Sequence, residues 1–400
     1  MNESKEHPIT RRQICKSCLA SAAALSFGMR TRAHAGFLDK ILTGDSEKKV
    51  IQNDAPEKLW EWSKEAYHYL KLGKNIQCQL CPNKCKMEPE SRSKCRVRVH
   101  KGGKLYSLVY GNPSAVHVDP IEKKPLYHFY PRSNAFSLGF AGCNLQCLNC
   151  QNWELSQKKP KDLMHYSMLP AQAIENAAKA NCSSIAYTYN EPTVTYEFMM
   201  DTAKLARKKG IKNVWVSNGY INTDPLIDYC NYLDGANIDL KSFSDSLYKK
   251  LNYGRLQPVL DTLKLLKAKN IWFEITTLIV PTYSDDMDMI QEMCKWIVNN
   301  LGPEVPLHFS RFTPRYKLKH LPPTPPSKLI QARNIAMKEG LRYVYIGNYR
   351  TPDGSGAHTF CHHCKHTVIE RIGFMVTKYN VKENSCGHCR TPLPGRWEAS

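Results

Sequence analysis

Cys143-Asn-Leu-Gln-Cys147-Leu-Asn-Cys150, entered from Ser137-Leu-Gly-Phe-Ala-Gly142, decides the fold. Three thiols stand at spacings of four and three residues, with no fourth nearby. A structural zinc site asks for four closed ligands, commonly two C-x-x-C knuckles. A [4Fe–4S] cluster held by three cysteines keeps one iron open for an outside ligand, and a short loop of this spacing wraps one face of such a cubane. The competing reading is a zinc half-site completed by a distant residue. Position favours iron–sulfur: the apolar run Ala135 to Phe140 leads straight into the loop, as a first barrel strand should.

On these residues the motif resembles the radical S-adenosylmethionine (SAM) superfamily, which implies that the open iron chelates the amino and carboxylate groups of SAM. In that superfamily the residue before the last cysteine is often aromatic and packs by the adenine. Here it is Asn149, and with Gln151 it is the expected cofactor contact on either side of Cys150. Trp153 is either a substitute for the missing aromatic or a core tryptophan.

Beyond the cysteines, strand and helix patterns alternate, which argues a parallel sheet with crossover helices. Extended runs fall at Ser184 to Tyr189, Val214 to Ser217, Asn237 to Lys241, Ile271 to Val280, Leu307 to Phe312 and Tyr343 to Ile346. Helical patterns fall at Ala171 to Ala180, Val194 to Lys209, Leu256 to Lys269, Met287 to Asn300 and Lys328 to Glu339. In parallel barrels the chemistry sits at the C-terminal strand ends. Polar residues occupy those ends: Asn190-Glu191, Ser217-Asn218, Asp239-Leu-Lys241 and His308-Phe-Ser310.

These junctions resemble activating enzymes of the pyruvate formate-lyase type, which carry Gly-Gly-Glu-Pro where this chain has Tyr189-Asn-Glu-Pro192. The resemblance implies SAM contacts at Asn190, Glu191, Asn218, Asp239 and Lys241, and a further one at His308 or Ser310. A fuller match covers most of the chain. Asp119-Pro-Ile-Glu-Lys-Lys-Pro-Leu-Tyr-His-Phe129, Cys150-Gln-Asn-Trp-Glu154, Tyr187-Thr-Tyr-Asn-Glu-Pro192 and His308-Phe-Ser-Arg-Phe312 resemble the AmmeMemoRadiSam-system radical SAM enzymes. That system implies AMMECR-like and Memo-like partner proteins.

Two further cysteine sets flank the barrel. Cys78-Gln-Leu-Cys81-Pro-Asn-Lys-Cys85, with Cys95, places four thiols within eighteen positions. A zinc site, an auxiliary iron–sulfur cluster and, in an exported protein, disulfides are all open. Cys361-His-His-Cys364 and Cys386-Gly-His-Cys389, around a hairpin-like Thr367 to Tyr379, read as a zinc ribbon remote from the chemistry, or as a rubredoxin-like iron site. Cys182, Cys230 and Cys294 read as buried residues without chemistry. Lys58 to Leu72 has near-helical apolar spacing and predicts an amphipathic helix, and Tyr106 to His128 predicts a β-rich lead-in.

The first thirty-five residues resemble a twin-arginine export signal: Thr10-Arg-Arg-Gln-Ile-Cys-Lys16, a weakly apolar run, then Ala33-His-Ala35 before Gly36. A mature chain starting near Gly36 in the periplasm is expected, the alternative being a basic tail on a cytoplasmic protein. The apolar run is too short and polar to span a bilayer. The net charge of +20 is spread without a block of five or six Lys/Arg, so nucleic acid is not the expected partner.

The expected fold class is α/β, with four parts. A targeting segment covers 1–35 and an N-terminal Cys-rich, β-containing module 36–130. A partial (β/α)6 radical SAM barrel covers 131–350, and a C-terminal zinc-ribbon-like module 351–400. The resemblance implies an enzyme using a low-potential electron donor, a [4Fe–4S] cluster and SAM to generate a 5′-deoxyadenosyl radical for hydrogen abstraction from a protein. The alternatives are a radical SAM modifier of a small molecule or RNA, and an iron–sulfur electron carrier or scaffold that leaves Asp239, Lys241 and Glu191 idle.

Overall fold

A computed structural model describes residues 53–397; the segment 1–35, expected to target the chain, and its Arg11-Arg12 pair lie outside the described residues. The centre is an eight-stranded sheet whose spatial order follows the chain. Strand β1 (Ala115–Pro120) pairs antiparallel with β2 (Asn134–Gly139) along its full length. From β2 onward every neighbour is parallel: β3 (Ser184–Tyr187), β4 (Lys212–Ser217), β5 (Gly235–Asp239), β6 (Trp272–Ile279), β7 (Leu307–Arg311) and β8 (Val344–Gly347). The sheet does not close, since β1 and β8 are its two edges. The lead-in expected before the barrel thus supplies an edge strand of the barrel sheet.

The strands read as nearly continuous apolar runs because both faces are covered, as parallel sheets require; every residue of β3 is buried. Six helices cross between the parallel strands: α1 (Pro170–Lys179), α2 (Tyr196–Lys208), α3 (Thr223–Cys230), α4 (Gln257–Ala268), α5 (Met287–Leu301) and α6 (Pro326–Lys338). The Asp286 carboxylate accepts from the backbone N–H of Asp288 and Met289 and caps α5. Burying Ile290 and Ile297 on its inner face contributes about 1.5–3 kcal/mol each. Helix α3 is absent from the sequence expectation, because eight residues with Pro225 inside the first turn carry little periodic signal. Cys182 and Cys294 are buried as expected, whereas Cys230, at the end of α3, is only half-buried.

The helix expected over Lys58 to Leu72 is not formed. Lys64–Glu65 pairs with Lys104–Ser107, and Tyr69–Leu72 forms a hairpin with Asn75–Cys78. Gly73, at φ +61°, makes the tight reversal that a helix would forbid, and Leu70 of the expected apolar stripe is exposed. The buried Arg98–Glu197 pair, 2.7 Å apart, fastens this N-terminal part to α2.

At the other end, β9 (Thr367–Ile372) and β10 (Met375–Tyr379) form the expected hairpin. This part docks on the loop after β1. The backbone N–H of Arg396 donates to His128 O (2.7 Å), and the Tyr130 N–H donates to Arg396 O (2.6 Å). The Arg371 guanidinium donates to Tyr127 O (2.8 Å).

Candidate active site

The C-terminal ends of the parallel strands open onto a cavity of about 920 Å³, lined by Cys143, Cys147 and Cys150 and by residues from every strand from β4 to β8. The cysteine loop follows β2 and is held from several sides. Gly142, at φ +89°, lies so close to the module before it that an added Cβ would sit 2.5 Å from Cys95 O. Asn144 donates to Tyr220 O (2.7 Å) and accepts from Asn218 Nδ2 (2.9 Å). Backbone bonds from Gln146 and Leu148 to Asn252 O and Leu251 O complete the frame.

Cys143, Cys147 and Cys150 are free thiols. Burial pushes Cys143, Cys147 and Cys150 above the ordinary thiol range, so uncompensated thiolates there are disfavoured. Each sulfur has a polar neighbour: Asn218 Nδ2 donates to Cys143 (3.8 Å), Asn252 Nδ2 donates to Cys147 (3.1 Å), and Ser156 Oγ lies 3.1 Å from Cys150. Hydrogen bonds to cluster sulfurs tune reduction potential. Neither Ser156 nor Asn252 belongs to a sequence motif, and both were missed. The donor set fits a three-cysteine cluster with a further ligand. The thiols are unpaired, they face one cavity, and the buried Asn149 Oδ1 beside them has no partner among the described residues.

The remaining expected contacts divide into two kinds. Asn149, Gln151, Asn190, Glu191, Asn218, Asp239, Lys241, His308 and Ser310 all line the cavity. Several nevertheless spend their side chains on the frame. Asn190 accepts from Phe140 N (3.0 Å) and donates to Gly142 O (3.0 Å), locking the entrance of the cysteine loop. Glu191 accepts from Thr193 N (2.9 Å), Ser217 Oγ (2.8 Å) and Asn218 N (2.8 Å). Burial raises its pKa against those donors.

Lys241 donates to Asp239 Oδ2 (2.8 Å). Burial works against its charge, but Asp239 and the Cys147 sulfur outweigh that and hold it well above the usual lysine range. His308 and Ser310 sit two apart on β7 and so share a face. His308 Nε2 meets Glu274 Oε2 at 2.6 Å, and Ser310 Oγ accepts from Asn348 (2.8 Å). Trp153 stacks on Tyr316, the ring centroids 5.3 Å apart.

The flanking cysteine sets precede and follow the eight-stranded sheet in the chain. The sulfurs of Cys361, Cys364, Cys386 and Cys389 all lie within 4.8 Å of one another, with Cys361–Cys389 at 3.7 Å and Cys364–Cys386 at 3.8 Å. Cys78, Cys85 and Cys95 are buried and Cys81 is half-buried; burial first, then the nearness of Cys78, Cys85 and Cys95, pushes the Cys81 thiol up. The C-terminal part is not remote from the cavity: Arg371, Gly373 and Phe374 of its hairpin line it. Sequence offered no signal for that contact, which depends on long-range docking.

Fold and site together define an enzyme of the radical SAM class, and the chain belongs to the Radical SAM superfamily, whose pattern matches residues 138–297. Within it the chain is activating-enzyme-like. It is 28% identical over 157 residues to pyruvate formate-lyase 1-activating enzyme of Escherichia coli, covering 37% of this chain and 62% of that protein. A relative along nearly its whole length is the uncharacterized protein MJ0808 of Methanocaldococcus jannaschii, 45% identical over 329 residues, 82% of this chain and 97% of that one. Among solved structures, Streptococcus suis SuiB bound to S-adenosylmethionine superposes with a TM-score of 0.44 at 14% identity, over 60% of this chain and 56% of that one. No helix among the described residues is long and apolar enough to cross a membrane.

Proposed function

We propose that the enzyme cleaves SAM reductively and abstracts hydrogen from a protein substrate. Cys143, Cys147 and Cys150 would hold a [4Fe–4S] cluster, which would supply the electron for reductive cleavage of SAM to methionine and a 5′-deoxyadenosyl radical. The observation that carries the reading is the convergence of three unpaired thiols on one cavity beside an unsatisfied Asn149 acceptor.

The chain's own residues then have separable tasks. Asn190 and Glu191 hold the cysteine loop and the end of β4 in register. Lys241, kept charged by Asp239, sets a fixed positive charge by Cys147 and is suited to a carboxylate. Asn149, Gln151 and Asn218 offer polar groups to the bound nucleoside and amino acid, and His308 and Ser310 offer theirs from β7. Walls from β4 to β8 and from the C-terminal hairpin exclude water and stray hydrogen donors.

Cys361, Cys364, Cys386 and Cys389 are assigned to zinc: sulfur separations of 3.7 and 3.8 Å match a tetrahedron with Zn–S about 2.3 Å. A zinc ion or an auxiliary iron–sulfur cluster is the proposed occupant of the Cys78, Cys81, Cys85 and Cys95 set. A low-potential donor supplies the electron, and the sequence resemblance supports AMMECR-like and Memo-like partners and twin-arginine export. Anaerobic incubation of reconstituted protein with SAM and dithionite tests the core of the reading. Formation of 5′-deoxyadenosine is expected; an iron–sulfur electron carrier or scaffold gives none.

A further inference from the structure

The run Asp119-Pro-Ile-Glu-Lys-Lys-Pro125 contributes a buried cation to the cavity that none of the roles above uses. The Lys124 side chain is 1% exposed and lines the cavity. It shares one carboxylate with its neighbour: Asp119 Oδ2 accepts from Lys124 Nζ at 2.6 Å, and Oδ1 accepts from Lys123 Nζ at 2.7 Å. The Tyr189 hydroxyl donates to the same Oδ2. Two ammonium groups and a phenol thus draw on a single negative charge, leaving one positive charge over. Arg350 and Arg371 also line the cavity beside Lys241, against the carboxylates of Glu122, Glu191 and Asp239, with Glu122 at 4.0 Å from Arg371. Burial pulls Lys124 down to about 8, with Lys123 adding to it, although Asp119 opposes it.

Geometry joins this cation to the reacting end. Lys124 Nζ lies 4.6 Å over the Tyr189 ring, and Tyr189 precedes the Asn190 that locks the cysteine loop. Tyr189 is held at φ +72°, uncommon for an aromatic residue and costly unless its surroundings impose it. Its carbonyl accepts from Asn152, two residues past Cys150 (2.7 Å). A lysine ammonium has three donors, and Asp119 takes one. A charged oxygen in the cavity would take another through a charge-assisted hydrogen bond and complete the charge count.

We propose that Lys124 anchors the substrate through an oxyanion, a carboxylate or a phosphate, held in the same cavity as the three cysteines. This rests on the cavity being the catalytic chamber proposed above. The substrate group belongs to an acidic or phosphorylated residue, or to a small acid.

Competitive trace acetylation of the wild-type, cluster-loaded full chain, read by peptide mass spectrometry over a pH series, reports Lys123 and Lys124 separately. The probes are sodium acetate and inorganic phosphate, each against sodium chloride at equal ionic strength. One oxyanion is expected to slow labelling of Lys124 about tenfold, the effect of one pKa unit, while Lys123 labels unchanged. Protection by acetate alone identifies a carboxylate site, and stronger protection by phosphate identifies a phosphate site. Equal protection of both lysines, or labelling of Lys124 that is the same in all three salts, overturns the proposal. SAM binding is followed on the same samples through the cluster spectrum. Its loss sinks the radical SAM reading, whereas intact SAM binding with an indifferent Lys124 sinks this inference alone.

Discussion

The side-chain amide of Asn83 donates to the backbone carbonyl of Asn144 at 2.7 Å, and both residues are buried. The two cysteine motifs are thereby tied, since Asn83 lies between Cys81 and Cys85 and Asn144 follows Cys143. Asn83 also accepts from Lys94 (3.3 Å), and Lys94 in turn donates to Tyr253 O (2.9 Å). The N-terminal part is therefore a brace on the cysteine loop as well as a possessor of its own thiols.

Replacing Asn83 with Ala leaves the Asn144 carbonyl buried and unsatisfied, a cost of about 1–3 kcal/mol. The cluster on the Cys143 loop should then be lost faster to a chelator, with SAM binding weakened once it is gone. Chelation half-lives of wild type and variant that agree within error would show that the brace does not matter.

Alanine at Cys143, Cys147 or Cys150 should each abolish 5′-deoxyadenosine formation and remove the absorbance of that cluster. Iron content should fall without disturbing the C-terminal metal. Deoxyadenosine production surviving in all three variants would end the three-cysteine assignment.

Chain purified with zinc should hold one ion at the C-terminal set. Changing Cys361 and Cys389 together to Ser should remove it, as elemental analysis reads. Because Arg371 reaches Tyr127 from the same hairpin, hydrogen exchange around residues 125–130 should rise as well. Zinc retained in full by the double variant contradicts the site.

Glu274 is fully buried, accepting from His128 N (2.7 Å) and meeting His308. Burial raises its pKa, but His308 outweighs that and leaves it below the ordinary 4.5. A depressed folded-state pKa contributes stability that is present above about pH 4.5 and is lost as pH falls through the folded value. Glu274→Ala should cost about 1–3 kcal/mol near neutral pH for each buried donor left without its acceptor, and the cost should shrink in acid. Urea unfolding at neutral and acid pH checks both, and a cost that grows toward acid would reverse the sign.

Cell fractionation of the full chain beside an Arg11→Lys/Arg12→Lys variant addresses export. Wild type should appear in the periplasm, shortened to begin near Gly36, and the variant should remain inside at full length. Wild-type chain found intact in the cytoplasm would leave 1–35 as a tail.

The parts legible in sequence were those written in neighbouring residues. The Cys143–Cys150 spacing, the buried strands and the polar residues at their ends follow local rules, and all nine proposed contacts do line the cavity. What failed was either ambiguous locally or created by distant segments. Lys58 to Leu72 offered apolar residues at helical spacing, yet Gly73 and pairing with partners further along won. Asn252 reaches Cys147 from 105 residues away, and no motif joins them. The side-chain duties of Asn190 and Glu191 were hidden likewise: a family pattern marks where a residue stands, while its hydrogen-bond partners depend on the folded frame.

Arg371 and Tyr127 are 244 residues apart in the chain. During synthesis the first cysteines, the sheet and the loop of Cys143 all leave the ribosome before the hairpin that finishes the cavity wall. A nascent chain can therefore fold its cluster seat while the chamber still stands open on one side. Completion of the wall comes after all eight strands of the sheet, so the timetable of translation keeps the reacting centre from being enclosed until the sheet has been made.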